Sequence, residues 1–179
     1  AGFEKLRAAG MTVESGLMQA PARELNRGFL ARIERGRPWL RVKLATSLDG
    51  RTAMASGDSK WISGEASRHD VQRWRARSGA LLTGAGTVLA DDPHLTVRLD
   101  DGIDFVPPLR VVLDPGLATV ARGHVREGAA PTLYIHAPDT KLPRSVDFEH
   151  AAVPAQGTRF DLDAVLRLLA ARGINEVQL

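Results

Sequence analysis

The chain has 179 residues, 25% charged and 44% hydrophobic, with 17 Gly, 10 Pro, 5% aromatic residues and no Cys, a balance that excludes collagenous, disordered and membrane-spanning classes and fits one globular domain. At this length roughly 70% of the extended-chain surface is buried on folding, so the core closes without disulfides or a structural metal, and the lack of thiols removes zinc-cysteine sites. The net charge of +3 hides an asymmetry, with 15 Lys/Arg against 8 Asp/Glu in residues 1–80 and 9 against 13 in residues 81–179, and with so few aromatics to stack bases it points to a small anionic ligand rather than nucleic acid.

The start reads as the inside of something longer, because position 1 is Ala and residues 2–9 look like the back half of a helix ended by Gly10. Residues 11–14 suit a short strand. Ala20-Pro21 opens a helix in which Leu25, Phe29 and Ile33 recur every four residues until Gly36 and Pro38 stop it, so residues 1–36 form one unit with its border at Pro38. Residues 40–48 then read as a long strand entering the Asp49-Gly50 turn, a dipeptide that favours positive φ, and the chain doubles back through residues 51–55.

A helix is expected over residues 64–77, packing Ala66, Val71 and Trp74 inward and leaving Arg68, Gln72 and Arg75 on a different face. Residues 79–83 make a short buried strand, followed by Gly84-Ala85-Gly86-Thr87 and a turn of helix that Pro93 terminates. Strands over 109–113 and 132–136 are bounded by Pro107-Pro108, Asp114-Pro115-Gly116 and Ala137-Pro138. Asp161 caps a helix with Leu162, Val165, Leu166 and Leu169 on one stripe and Gly173 past its end, and residues 177–179 begin a last strand. Strands alternating with helices after residue 38 predict a three-layer α/β sandwich on a mostly parallel sheet. No apolar run reaches the roughly 20 residues of a membrane span, and residues 1–15 lack the charged-then-apolar order of a signal peptide, so the expected location is the cytoplasm and no membrane partner is expected.

Open α/β sheets collect ligands in the loops after their strands. The loop from Ala45 to Trp61 is either a ligand wall with Lys43, Thr46 and Ser59 as donors or an ordinary hairpin. Gly84-Ala85-Gly86-Thr87 is a glycine turn entering a helix, where free N–H groups suit a phosphate, but it lacks the third glycine of a dinucleotide fingerprint. In Asp91-Asp92-Pro93-His94-Leu95-Thr96-Val97-Arg98 the paired carboxylates offer acid-base chemistry or merely a solvated turn cap. His69, His94, His124, His136 and His150 are scattered with none at metal-ligand spacing, so no metal site is expected. Twenty of the 24 basic residues are Arg, whose planar fork suits phosphate, although a codon-biased genome gives the same preference. Of those on the 64–77 helix, Arg75 is the candidate ligand clamp.

Four motifs in order carry a further reading: residues 43–51 (KLATSLDGR), 57–62 (GDSKWI), 87–93 (TVLADDP) and 95–98 (LTVR). Together they resemble the reductase domain of the RibD family of bifunctional riboflavin-biosynthesis enzymes, with order and spacing matching over residues 37–116. Residues 1–36 are similar to that family's junction, the tail of a deaminase domain and a linker, which makes residues 37–179 the reductase domain.

The resemblance implies a dihydrofolate-reductase-like fold, and an NADPH-dependent reduction of the ribosyl group of 5-amino-6-(5-phosphoribosylamino)uracil to a ribityl chain. It also implies Ala45, Trp61, Thr87, Asp91 and Pro115 toward the cofactor and Ser59, Arg75, Leu95 and Arg98 toward the phosphorylated substrate. Pro115 stands where a hydroxyl-bearing residue can occur, which removes a side-chain hydrogen bond. Lys43 is a candidate to polarise the opened sugar, or else a strand lysine that snorkels outward; Asp91 is a candidate proton source.

A chain without Cys cannot supply the deaminase half's zinc site, so zinc is expected only outside this segment. The family continues past residues 175–179 into an acidic residue and a glycine-rich loop; the fold is therefore expected to be incomplete at its C-terminus, with weak binding or turnover. A homodimer or higher oligomer is expected. The rivals are another pterin or pyrimidine reductase of this fold and a non-catalytic nucleotide-binding or dimerisation fragment.

Overall fold

The computed structural model describes residues 2–99, 102, 104–121 and 123–179. Its elements are α1 (Gly2–Ala8), α2 (Gln19–Leu25), α3 (Arg27–Arg35), β1 (Trp39–Arg41), α4 (Glu65–Arg77), β2 (Ala80–Gly84), α5 (Ala85–Asp91), β3 (Leu109–Leu113), β4 (Thr132–His136), β5 (Glu149–Ala152), β6 (Ala155–Gln156), β7 (Arg159–Phe160), α6 (Leu162–Ala171) and β8 (Glu176–Gln178). Six strands form one sheet in the order β1-β8-β2-β3-β4-β5, every pair parallel, while β6 and β7 make a separate antiparallel hairpin.

The central strands read as near-continuous apolar runs because both sheet faces are covered. Period-two alternation splits them cleanly. Leu82, Val111, Leu133 and Ile135 meet Val165 and Leu169 of α6 on one face. Val112 and Tyr134 meet Val88 of α5 and Leu117, Val120 and Val125 on the other. Asp161 caps α6 by accepting hydrogen bonds from the Asp163 and Ala164 amides, and Gly173 (φ 81°) ends it in the left-handed region. No helix among the described residues is long and apolar enough to cross a membrane.

Several expectations need correction. The helix expected from residue 20 to 36 is two helices broken at Asn26, and Leu25, Phe29 and Ile33 lie on its exposed side. The buried residues are Gly28 and Ala31, and at Gly28 the helix comes so close to Asn175 and Glu176 that only glycine fits. At Gly28 a Cβ would stand 2.5 Å from Glu176 Cγ and 3.0 Å from the Asn175 carbonyl oxygen. Gly28→Ala is therefore expected to lose about 1–3 kcal/mol of stability, read as a lower urea midpoint with unchanged slope.

Residues 11–14 form no strand, and the strand expected over 40–48 shrinks to Trp39–Arg41, where β8 supplies the ladder. On α4, Ala66 is exposed, whereas Arg68, Gln72 and Arg75 are as half-buried as Val71 and Trp74. Strand β5 and the β6–β7 hairpin carry no signal that local periodicity detects.

Candidate active site

Because the six sheet strands run parallel, the segments that follow β1, β2 and β3 emerge on one rim. Lys43 and Ala45 follow β1, Thr87 and Asp91 lie on α5 after β2, and Pro115 follows β3. Gly84 and Leu113 are paired neighbours at the ends of their strands. They open a cleft of about 560 Å³ lined by Gly84, Ala85, Gly86, Leu113, Pro115 and the β6–β7 turn with Arg159 and Phe160. No heavy atom lies within 4 Å of the points where Cβ atoms on Gly84 and Gly86 would sit, so their open side is free for a ligand.

The wall at Pro115 is rigid for a reason outside its own ring. Asp114 is buried, and its carboxylate accepts from the Ala118 amide (2.9 Å), the Thr119 amide (2.7 Å) and the Thr119 hydroxyl (2.6 Å). The Pro115 carbonyl in turn accepts from Ala137 and Thr140. Reading Asp114-Pro115-Gly116 as a strand breaker missed this turn, whose signal is a carboxylate followed four and five residues later by free amides.

A second group forms along α4. Arg75 Nη1 donates to the Thr96 carbonyl at 3.3 Å, and the Gln72 side-chain oxygen accepts from the Arg98 amide at 3.0 Å. The loop carrying Thr96 and Arg98 is thus laid against the helix face that carries Gln72 and Arg75. Burial, and secondarily the charge of Arg98, lower the Arg75 pKa from its ordinary value. Two cations are held close, and among the described residues neither is paired with a carboxylate. Leu95 (φ 48°) packs its half-buried side chain against the core beneath the loop.

Two turns before Arg75 on α4, the Arg68 guanidinium stacks on Trp61 with its carbon 4.5 Å from the ring centroid, and Trp61 remains 72% exposed. Ser59 and Trp61 line a shallow depression of about 200 Å³ with Ser47, Arg51 and Met54. The Asp49-Gly50 turn exists as expected: Ser47 and Arg51 pair through the backbone, and Gly50 adopts φ 80°. Lys43 is exposed and Ala45 half-buried. Arg75, Arg98 and Trp61 therefore share one flank of α4, while the glycine-walled cleft and the 47–62 depression stand as separate hollows. A cavity of about 490 Å³ at the opposite rim, between α3, Pro107-Pro108 and Asn175, contains none of these groups.

Of the paired carboxylates, Asp91 ends α5 and is exposed, whereas Asp92 is engaged. It accepts from the His124 amide at 2.8 Å and sits 2.8 Å from His124 Nδ1. That amide bond chiefly holds its carboxyl below the usual carboxylate range. Local spacing also missed two histidine pairs. His136 Nε2 lies 3.0 Å from His150 Nδ1, and the His94 and His124 rings are 3.8 Å apart.

Residues 38–179 match the family described as RibD C-terminal domain. The chain belongs to this family. The riboflavin biosynthesis protein RibD of Bacillus amyloliquefaciens is 40% identical over 180 residues, which cover 98% of this chain and 48% of that protein. Among solved structures, the diaminohydroxyphosphoribosylaminopyrimidine deaminase/5-amino-6-(5-phosphoribosylamino)uracil reductase of Thermotoga maritima superposes with a TM-score of 0.81 at 32% identity, over 99% of this chain and 48% of that one. RibD of Acinetobacter baumannii gives 0.81 at 37% identity, over 99% and 49%. The chain spans about half the length of the curated relatives it matches. The family resemblance read from the four motifs is borne out, and so is the dihydrofolate-reductase-like α/β fold that the RibD structures share.

Proposed function

We propose that this chain is the reductase portion of a RibD enzyme, which uses NADPH to reduce the ribosyl group of 5-amino-6-(5-phosphoribosylamino)uracil to the ribityl form. The observation that carries the reading is the proximity of Arg75 to Arg98: the Arg75 guanidinium is anchored on the Thr96 carbonyl, the Arg98 backbone amide on Gln72, and among the described residues neither cation is paired with a carboxylate. A substrate phosphate supplies the anion, and the planar forks match its oxygens. Ser59 and Trp61, on the same flank of α4, take the hydroxyl and ring portions of the substrate.

The glycine-walled cleft after β2 and β3 fits a dinucleotide; Pro115 lines it, and the family resemblance assigns Thr87 and Asp91 of α5 and Ala45 after β1 to the same cofactor. When bound, the reduced nicotinamide supplies a hydride to the sugar carbon. This chain's residues must hold the two reacting carbons about 3–3.5 Å apart and keep water out. Hydride addition at the opened sugar requires one proton, and the candidates to supply it are the exposed Lys43, which follows β1, and the exposed Asp91, which ends α5.

Lys43→Met and Asp91→Asn separate these two sources. The donor's variant is expected to lose about 10²–10⁴ in kcat with little change in KM, and the other variant to retain activity. The whole reading is tested by incubating the complete natural protein with NADPH and the phosphoribosylaminouracil. Loss of the dihydronicotinamide absorbance is expected. Turnover of dihydrofolate instead indicates a different pterin reductase, and NADPH binding without turnover indicates a non-catalytic module. A homo-oligomer working in the cytoplasm agrees with this reading.

A further inference from the structure

A cluster away from the Arg75 flank has the chemistry of a metal centre. His94 Nδ1 lies 3.4 Å from Glu127 Oε2, His124 Nε2 lies 3.7 Å from Glu127 Oε1, and the ligand-capable atoms of the three residues all fall within 4.8 Å of one another. Around a tetrahedral zinc-sized ion, nitrogen and oxygen ligands stand about 3.3–3.5 Å apart. The three side chains are therefore near the spacing that an ion between them would impose.

Three features show preorganisation rather than a chance meeting of exposed groups. First, one buried guanidinium pins all three residues by their backbones: Arg110 donates to the carbonyls of His94 (3.2 Å), His124 (3.0 Å) and Glu127 (2.5 Å). Second, Asp92 engages His124 Nδ1 at 2.8 Å, which fixes the ring and leaves Nε2 facing Glu127. A carboxylate behind a metal-ligating histidine is the usual arrangement of such sites. Third, Gly123 (φ 94°) brings the backbone so close that a Cβ there would meet Asp92 Oδ1 at 2.8 Å, so the Asp92–His124 contact depends on glycine at that position.

We propose that His94, His124 and Glu127 form a binding site for a divalent transition cation of the zinc, cobalt or nickel class, with Asp92 as the positioning residue for His124. Two imidazoles and one carboxylate satisfy three positions of a tetrahedron and leave the fourth to water. The side chains are 48%, 38% and 53% exposed, so the ion enters directly from solvent and binds reversibly. Its occupancy joins the loop that carries Thr96 and Arg98 to the 124–127 turn.

The test titrates the full-length natural protein with Co²⁺, following calorimetric heats and visible absorbance, beside the double variant H94Q/H124Q and the control His69→Gln on α4. Any metal held elsewhere is common to all three and cancels. The wild type and the control are expected to take up one equivalent per chain more than the double variant. Asp92→Asn is expected to weaken binding about tenfold or more. Glu127→Gln, a single exposed change, gives the same comparison should the double variant not fold. Equal stoichiometry and affinity in the wild type and the folded ligand variants would overturn the proposal. The binding readout does not use the reductase reaction, so it stands or fails separately from the proposed activity.

Discussion

Arg75→Ala in the complete natural protein is expected to lower kcat/KM for the phosphorylated substrate by about 10²–10³, with the KM for NADPH nearly unchanged. The size follows from two losses: a charge-assisted, fork-shaped contact to an anion, and the anchor that holds the Thr96 carbonyl and hence the Arg98 loop. Arg75→Lys keeps the charge and loses the fork, so it is expected to fall between wild type and Ala.

Arg98→Ala removes the second cation. Because both cations address one anion, the double variant is expected to cost less than the sum of the two single changes in free energy. Steady-state kinetics with the phosphorylated substrate and its dephosphorylated analogue decide the matter. If Arg75→Ala hurts both substrates equally, phosphate recognition is the wrong role for the pair.

Arg110→Met is expected to be the most destabilising single change, about 3–5 kcal/mol, read as a lower thermal midpoint and urea midpoint. Arg110 is 1% exposed on β3, and its guanidinium donates to four carbonyls, those of His94, His124, Glu127 and Ala130. Burial lowers its pKa, with Tyr134 and Glu127 working the other way. Removing it leaves four carbonyls, the Ala130 one buried and the others partly so, short of a donor, a cost larger than the net worth of the bonds themselves. The variant is also expected to loosen the 94–98 loop and so raise the substrate KM. A melting midpoint within a degree or two of wild type would refute this view of Arg110.

How much of this is legible in the residue order depends on how local the cause is. The α6 helix is read correctly because its cap, its Val165 and Leu169 stripe and its Gly173 stop all lie within one short segment. β2, β3 and β4 are read correctly because burial on both faces forces continuous apolar runs. The 20–36 helix fails on the opposite ground. Leu25, Phe29 and Ile33 do share a stripe, but a stripe does not say which surface covers it, and here the sheet takes Gly28 and Ala31 instead. Residues 40–48 fail likewise, since a strand needs a partner and β8 pairs with only Leu40 and Arg41 among them.

The candidate site divides the same way. The rim loops after the strands and the four family motifs stand in the chain as written, and so do the chemical types of Arg75, Arg98 and Trp61. That Arg75 meets Thr96 and Gln72 meets Arg98 follows only from the packing of α4 against a loop more than twenty residues away. The His94–His124 pair, thirty residues apart in the chain, is likewise created by the buried Arg110.

Residue order alone was enough to establish the fold class, the strand-to-loop rim and the family, because backbone propensity, apolar period and motif spacing act over short stretches. The folded chain alone decided which small residue lets α3 close on the sheet, which cations lie near each other and which histidines converge. Those outcomes rest on contacts between distant segments, whose energies are set by burial and distance, and neither quantity exists until the sheet is assembled.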